Sequence, residues 1–199
     1  MKHAFDHLTA ADATFHEIVA TYGYPTPQLR APGFAAMVHI ILEQQVSIAS
    51  AKATYAKLNI LLDGITPSTT LSASDETYRK AGVSRQKTAY IRDMGQRVVS
   101  GILNFESLSS KTEAEVRAEL LQIRGVGHWS IDVYLMFCLQ SEDILPLGDI
   151  AIVNTMKEFW PDLSAAEREE KAATWKPYRT AAAYLLWHHY LRRRGRYDL

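Results

Sequence analysis

A chain of 199 residues with 47% hydrophobic content can bury one compact core or two small lobes. Its 22 basic and 22 acidic side chains cancel, with an isoelectric point near 7.1, which argues against the indiscriminate nucleic-acid binding of a basic surplus but not against a grip through backbone amides. The single cysteine, Cys138, excludes an internal disulfide, a cysteine-built zinc site and a cysteine-ligated iron–sulfur cluster, and the lack of any apolar run of signal-peptide or transmembrane length makes a cytoplasmic protein without a membrane partner the expectation.

Thr9 and Asp12 mark a helix start, and Phe15, Ile18, Val19 and Tyr22 give that first helix an apolar face. Two prolines in Gly23-Tyr24-Pro25-Thr26-Pro27 then force an extended linker as far as Pro32-Gly33. From Phe34, FAAMVHIILEQQ reads as a buried helix that stops near Gln44-Gln45, which taken alone is an exposed turn between helices. Ser47 caps the next helix, whose alanines permit close packing. Gly64 to Ser74 is a turn-rich connector, and Asp75 to Ala81 a short helix. Ser84 caps a longer helix with Tyr90, Ile91, Met94 and Val98 on its buried face and Arg85 and Lys87 as a solvated start.

Thr112 with Glu115 forms a capping box, and Val116, Leu120 and Ile123 follow at helical spacing. Gly125-Val126-Gly127 interrupts the pattern before a segment from about His128 to Gln140 that is apolar almost all round. So short a glycine turn folds two helices back on each other. It reads first as a helix stop, yet glycines also let a ligand reach the backbone, and the amides at the second helix start suit an anion. Asp149, after Pro146 and Gly148, opens a further helix to Trp160, where an acid serves as an N-cap. Pro161 stops that helix, Ser164 boxes the next with Glu167, and WKPYRTAAAYLLWHHYL makes the last. Arg192, Arg193, Arg194 and Arg196 are the one basic cluster, either a solvated helix end or a phosphate contact. No stretch alternates with period two, so the fold class is all-α.

IRGVGHWSIDVYL resembles the hairpin, and LPLGDIAI the Gly/Pro-rich loop with its catalytic aspartate, of the helix-hairpin-helix, Gly/Pro…Asp (HhH-GPD) superfamily of DNA glycosylases. Asp149 lies 22 residues after Gly127, a separation typical of that family. ILEQQVSIASA, AGVSRQKTAYIRDMG and the C-terminal helix extend the resemblance over roughly 34–190, and the branch it resembles is 3-methyladenine DNA glycosylase II (AlkA type), in a compact form without the N-terminal αβ lobe. The resemblance implies two helical lobes with the active-site cleft between them. One lobe, 34–142, carries the hairpin at about 112–140; the other, 1–33 plus 143–199, carries the aspartate loop.

It further implies Asp149 as the catalytic acid, Trp129 and Trp187 as walls of a base pocket, and the amides of Gly125 and Gly127 as a phosphate grip. Gln45, with Gln44 beside it, takes the place of the minor-groove wedge, where many relatives have an apolar residue. Val133 stands where relatives have a tyrosine and Ile150 where some have an aromatic, so the pocket is less aromatic. The carbonyls of Leu121, Ile123 and Val126 correspond to those that hold a structural monovalent cation, sodium or potassium. No cofactor is implied for the chemistry, and the iron–sulfur cluster of the endonuclease III branch is absent. The implied partner is double-stranded DNA carrying damaged bases, met by a monomeric, DNA-associated protein of bacterial type.

Breaking an N-glycosidic bond gives the sugar oxocarbenium character, which a carboxylate stabilises. Asp132, Asp143 and Asp149 are all available, and composition does not choose among them; the resemblance selects Asp149, with Asp132 as an acid favouring the helix dipole. Trp129 occupies the position of the lysine that attacks the sugar in bifunctional relatives, which implies a monofunctional enzyme that leaves an abasic site. An indole face attracts a cationic alkylpurine, although core packing is the other reading of each tryptophan. A glycosylase for another lesion and a non-catalytic, structure-specific DNA-binding module remain the alternatives.

Overall fold

A computed structural model describes residues 1–196. Among them it contains twelve α-helices, one short 3-10 helix and no strand. The chain divides into two compact units, Arg30–Tyr134 and Met1–Leu29 with Leu135–Leu199. The expected boundaries, at 33/34 and 142/143, are therefore displaced. The reason lies in the apolar helix after the hairpin: its end, at Phe137, stacks on Tyr184 at 5.9 Å and so belongs with the C-terminal helix.

In Met1–Leu29 and the chain from Leu135 onward, the helices are α1 (Lys2–Ala11), α2 (Ala13–Tyr22), α10 (Ile150–Phe159), α11 (Ala165–Ala173) and α12 (Arg179–Arg192). The expected single N-terminal helix is in fact two. Asp12 leaves helical geometry at φ −133°, and its carboxylate accepts the Thr14 N–H, so Asp12 rather than Thr9 is the N-cap. The same carboxylate takes Lys171 at 2.8 Å and the Trp175 indole N–H at 3.3 Å, which fixes the break. Helix α12 is the axis of this unit: Ala181 to Leu186 are almost fully buried, and α10, α2 and α1 pack on it.

Arg30–Tyr134 holds α3 (Phe34–Glu43), α4 (Ile48–Leu61), α5 (Pro67–Ser72), α6 (Asp75–Ala81), α7 (Arg85–Val99), the 3-10 turn Glu106–Ser110 and α8 (Glu113–Leu120); α9 (His128–Phe137) begins in it. Helix α3 is the core, with Met37, Val38, Ile40 and Ile41 wholly inaccessible to solvent. It packs on α4 and α7, and α5 packs on α7. Ser47, Ser84 and Thr112 cap their helices as the spacing predicts. Helix α5 arises inside the expected connector, because Thr66 and Thr69 form a reciprocal capping box with Pro67 in the first turn. On α7, Ile91 and Met94 are buried, whereas Tyr90 and Val98 are only half so. Helix α9 ends at Phe137 instead of Gln140, which adopts φ +56°.

Candidate functional site

The hairpin is built from α8, the turn after Leu121 and the start of α9. Ile123 and Val126 are buried while Gly125 and Gly127 are exposed, so the apolar side chains anchor the turn and the backbone faces solvent. Gly125 has φ +79°, and a Cβ there would lie 2.2 Å from the Tyr90 ring, so no other residue fits without rearrangement. Gly127 has ordinary φ, and its Cβ would meet nothing within 4 Å. The Val126 N–H closes on the Ile123 carbonyl at 3.1 Å, and the Arg124 N–H donates to Asp93 Oδ2 at 3.3 Å.

Gln44 is not a free wedge residue. Its Nε2 donates to the Gly125 carbonyl and to Ser130 Oγ, each at 2.9 Å, tying the end of α3 to the hairpin. Gln45 is exposed with φ +57°, followed by Val46 at 46% exposure. Lys87, expected in solvent, is half-buried, and its Nζ donates to the carbonyls of Leu42 and Gln44 at 2.8 Å each. Burial lowers its pKa. Trp129 is half-exposed in the first turn of α9. Asp132 falls in the second turn, not the first, and is an internal partner: it pairs with Arg117 at 2.7 Å, and burial raises its carboxyl above the usual range against the pull of that guanidinium.

In the other unit the loop before α10 is pinned to the start of α12. Arg179 grips Asp143 with Nε at 2.7 Å and Nη2 at 2.9 Å, and Nη2 also reaches the Asp143 carbonyl. Thr180 is fully buried; its Oγ1 donates to the Ser141 carbonyl at 2.7 Å and accepts the Ile144 N–H at 3.0 Å. Tight turns follow, with the Asp149 N–H on the Pro146 carbonyl at 2.8 Å. Asp149 then caps α10. Its Oδ1 accepts the N–H groups of Ala151 at 2.8 Å and Ile152 at 3.2 Å and the indole N–H of Trp187 at 3.1 Å. Trp187 is only 6% exposed, edge-on to Phe137 and Tyr184.

Asp149 and Trp187 are thus brought into contact, as are Gln44 and the hairpin that contains Gly125, Gly127, Ile123 and Val126; Trp129 belongs with the hairpin. In the basic cluster, Arg193 is paired with Glu158, and Arg194 lies 3.6 Å over the Tyr190 ring, both held at the helix end. Arg179, Thr180 and Lys87 carry no sequence signal of their own, since their partners are distant in the chain.

An all-helical protein with this hairpin, followed by an aspartate-capped helix after a Gly/Pro loop, is a helix-hairpin-helix protein of the Gly/Pro…Asp kind. Residues 38–180 match the model of the HhH-GPD superfamily of base excision DNA repair proteins, and the chain belongs to that family. It is 28% identical to the alkylbase DNA glycosidase-like protein mag2 of Schizosaccharomyces pombe over 94% of this chain and 92% of that one. A DNA-3-methyladenine glycosidase from Bacillus halodurans superposes with a TM-score of 0.77 at 29% identity, covering 96% of this chain and 90% of that one. The fold is also that of the Schizosaccharomyces pombe 3-methyladenine DNA glycosylase Mag1 in complex with abasic DNA, with a TM-score of 0.85 at 23% identity and coverage of 93% and 95%.

Proposed function

We propose that the protein is a monofunctional DNA glycosylase that hydrolyses the N-glycosidic bond of alkylated purines in duplex DNA and leaves an abasic site. The observation that carries this reading is Asp149, whose Oδ1 is fixed by three N–H donors at the start of α10. A carboxylate so held keeps its orientation, and an acid aimed at developing positive charge stabilises the oxocarbenium-like sugar. Water adds to the anomeric carbon and gives up a proton as the carbon–nitrogen bond breaks. An alkylated purine carries positive charge, so it departs as a neutral base.

The exposed amides at Gly125, Gly127 and the start of α9 form the phosphate grip, and the Gln45 turn enters the gap left by the flipped nucleotide. Trp129, half-exposed in the first turn of α9, is the ring that would stack on a cationic base, whereas buried Trp187 acts chiefly by orienting Asp149. The carbonyls of Leu121, Ile123 and Val126 suit a hard monovalent cation, and although the Ile123 oxygen already accepts the Val126 N–H, its second lone pair can serve an ion. An ion held there would lessen repulsion at the phosphate and would take no part in the reaction.

Methylated DNA supplies the test. The wild-type chain should release free 3-methyladenine, and Asp149→Asn, which keeps the cap's acceptor oxygen, should bind DNA normally while excision falls by roughly two orders of magnitude or more. Release of other bases alone would point to a different lesion, and binding without release to a non-catalytic module. With Trp129 at the lysine position, borohydride should trap no covalent protein–DNA adduct during turnover; a trapped adduct would overturn the monofunctional reading.

A further inference from the structure

Within Arg30–Tyr134, one side of α7 touches both elements assigned to DNA. Lys87, Tyr90 and Asp93 follow each other at three-residue spacing along it. Lys87 Nζ holds the Leu42 and Gln44 carbonyls at the end of α3, where a helix leaves acceptors without intrahelical partners. Tyr90 lies against Gly125, anchored by Gln86 Nε2 on its hydroxyl at 2.5 Å. Asp93, held by Arg97 Nε at 2.9 Å, accepts the Arg124 N–H of the hairpin. The Gln44 side chain closes the circuit by bonding the hairpin directly. The turn bearing Gln45 is therefore gripped from beneath by a cation and from the side by the hairpin.

We propose that α7 is a positioning platform that fixes the Gln45 turn and the glycine hairpin at one separation, with Lys87 as its main positioning residue. The proposal rests on reading that turn and that hairpin as DNA contacts. A preset separation lets the wedge fill a gap while the hairpin holds the neighbouring phosphate, without ordering either element on binding. The consequence is selective. The Lys87 arm of the platform governs recognition of a gap in the stack, whereas affinity for intact duplex, which uses the hairpin without the Gln45 turn, does not depend on the separation between them.

The experiment compares two duplexes of one sequence, one intact and one carrying a tetrahydrofuran abasic-site analogue opposite a fluorescent adenine analogue. Affinity is measured across a range of salt, together with the fluorescence change that reports wedge entry. Lys87→Met should reduce the preference for the gapped duplex about tenfold, the scale of lost charge-assisted hydrogen bonds, and shrink the fluorescence change. Affinity for intact duplex and its salt slope should stay as in the wild type, and Lys87→Arg should recover much of the preference. Gln44→Ala, which cuts the lateral tie at a half-exposed site, should repeat the loss and carries the test should Lys87→Met fail to fold.

Equal weakening on both duplexes with a salt slope lower by about one would make Lys87 a phosphate ligand and overturn the proposal, as would unchanged preference in both variants. Gln45→Ala separates the two levels. If it too leaves the preference unchanged, the wedge reading falls and takes the platform with it. If it removes the preference while the Lys87 and Gln44 variants keep theirs, the platform alone is wrong.

Discussion

Asp132, Asp143 and Asp149 are the same side chain in three settings, and their partners separate them. Asp132 answers Arg117 and Asp143 answers Arg179, each with a guanidinium nitrogen at 2.7 Å, whereas Asp149 Oδ1 accepts the N–H groups of Ala151 and Ile152 at the start of α10 and the indole N–H of Trp187. Asp132→Asn should therefore lower stability while leaving the excision rate of the folded protein nearly intact, a contrast with Asp149→Asn that a melting curve and a single-turnover assay resolve. Trp187 gives a finer test. Trp187→Phe keeps a ring against Phe137 and Tyr184 but deletes the N–H, so kcat should fall roughly tenfold with little change in KM, as expected when a hydrogen bond to a charged group is lost. A large rise in KM with unchanged kcat would instead make Trp187 part of the base-binding wall. The run LPLGD makes Asp149 legible from sequence. Its bond to Trp187 is not, because the two are 38 positions apart and helix periodicity marks Trp187 only as core.

Element boundaries were readable wherever the signal is local. Thr112 with Glu115 and Ser164 with Glu167 close their boxes within one turn. Helix α1 has no such mark: Met1 caps it without a side-chain bond, and Asp12 serves the helix that follows. Helix α5 was obscured because its box uses Thr69 where the usual signature has glutamate or glutamine. In the hairpin the two glycines look alike in sequence but do different work. Gly125→Ala places a methyl 2.2 Å from Tyr90 at φ +79° and should reduce stability by about 2–5 kcal/mol. Gly127→Ala meets open space at ordinary φ and should change stability by no more than about 0.5 kcal/mol, yet it puts a methyl where a phosphate must approach and should weaken duplex binding. Urea unfolding and DNA titration of both variants check this, and equal destabilisation would mean that Gly127 is a structural glycine too.

At the scale of the whole molecule, each compact unit contains a histidine whose protonation folding disfavours. His39, in Arg30–Tyr134, stacks on Tyr55 at 4.2 Å beside the Arg30–Glu43 pair; His188, in α12, sits with Nε2 3.3 Å from the Tyr22 carbonyl. Burial is the largest influence on both and holds their pKa values below the ordinary 6.5, with Glu43 opposing it at His39 and the Tyr22 carbonyl opposing it at His188. Above 6.5 the folded and unfolded chains are alike neutral at these positions, and the stability associated with them is fully present. As pH falls, the unfolded chain takes up protons that the folded chain refuses, so stability is lost until the folded-state values are passed. Asp132 works in the opposite sense at lower pH: its raised carboxyl keeps a proton longer in the folded state and gains stability as pH falls toward 3.8. The unfolding midpoint should hence be flat above about pH 7 and drop as pH falls below about 6.5. His39→Gln and His188→Gln should each flatten part of that slope, and a profile in which neither substitution alters the slope would assign the acid lability to other groups.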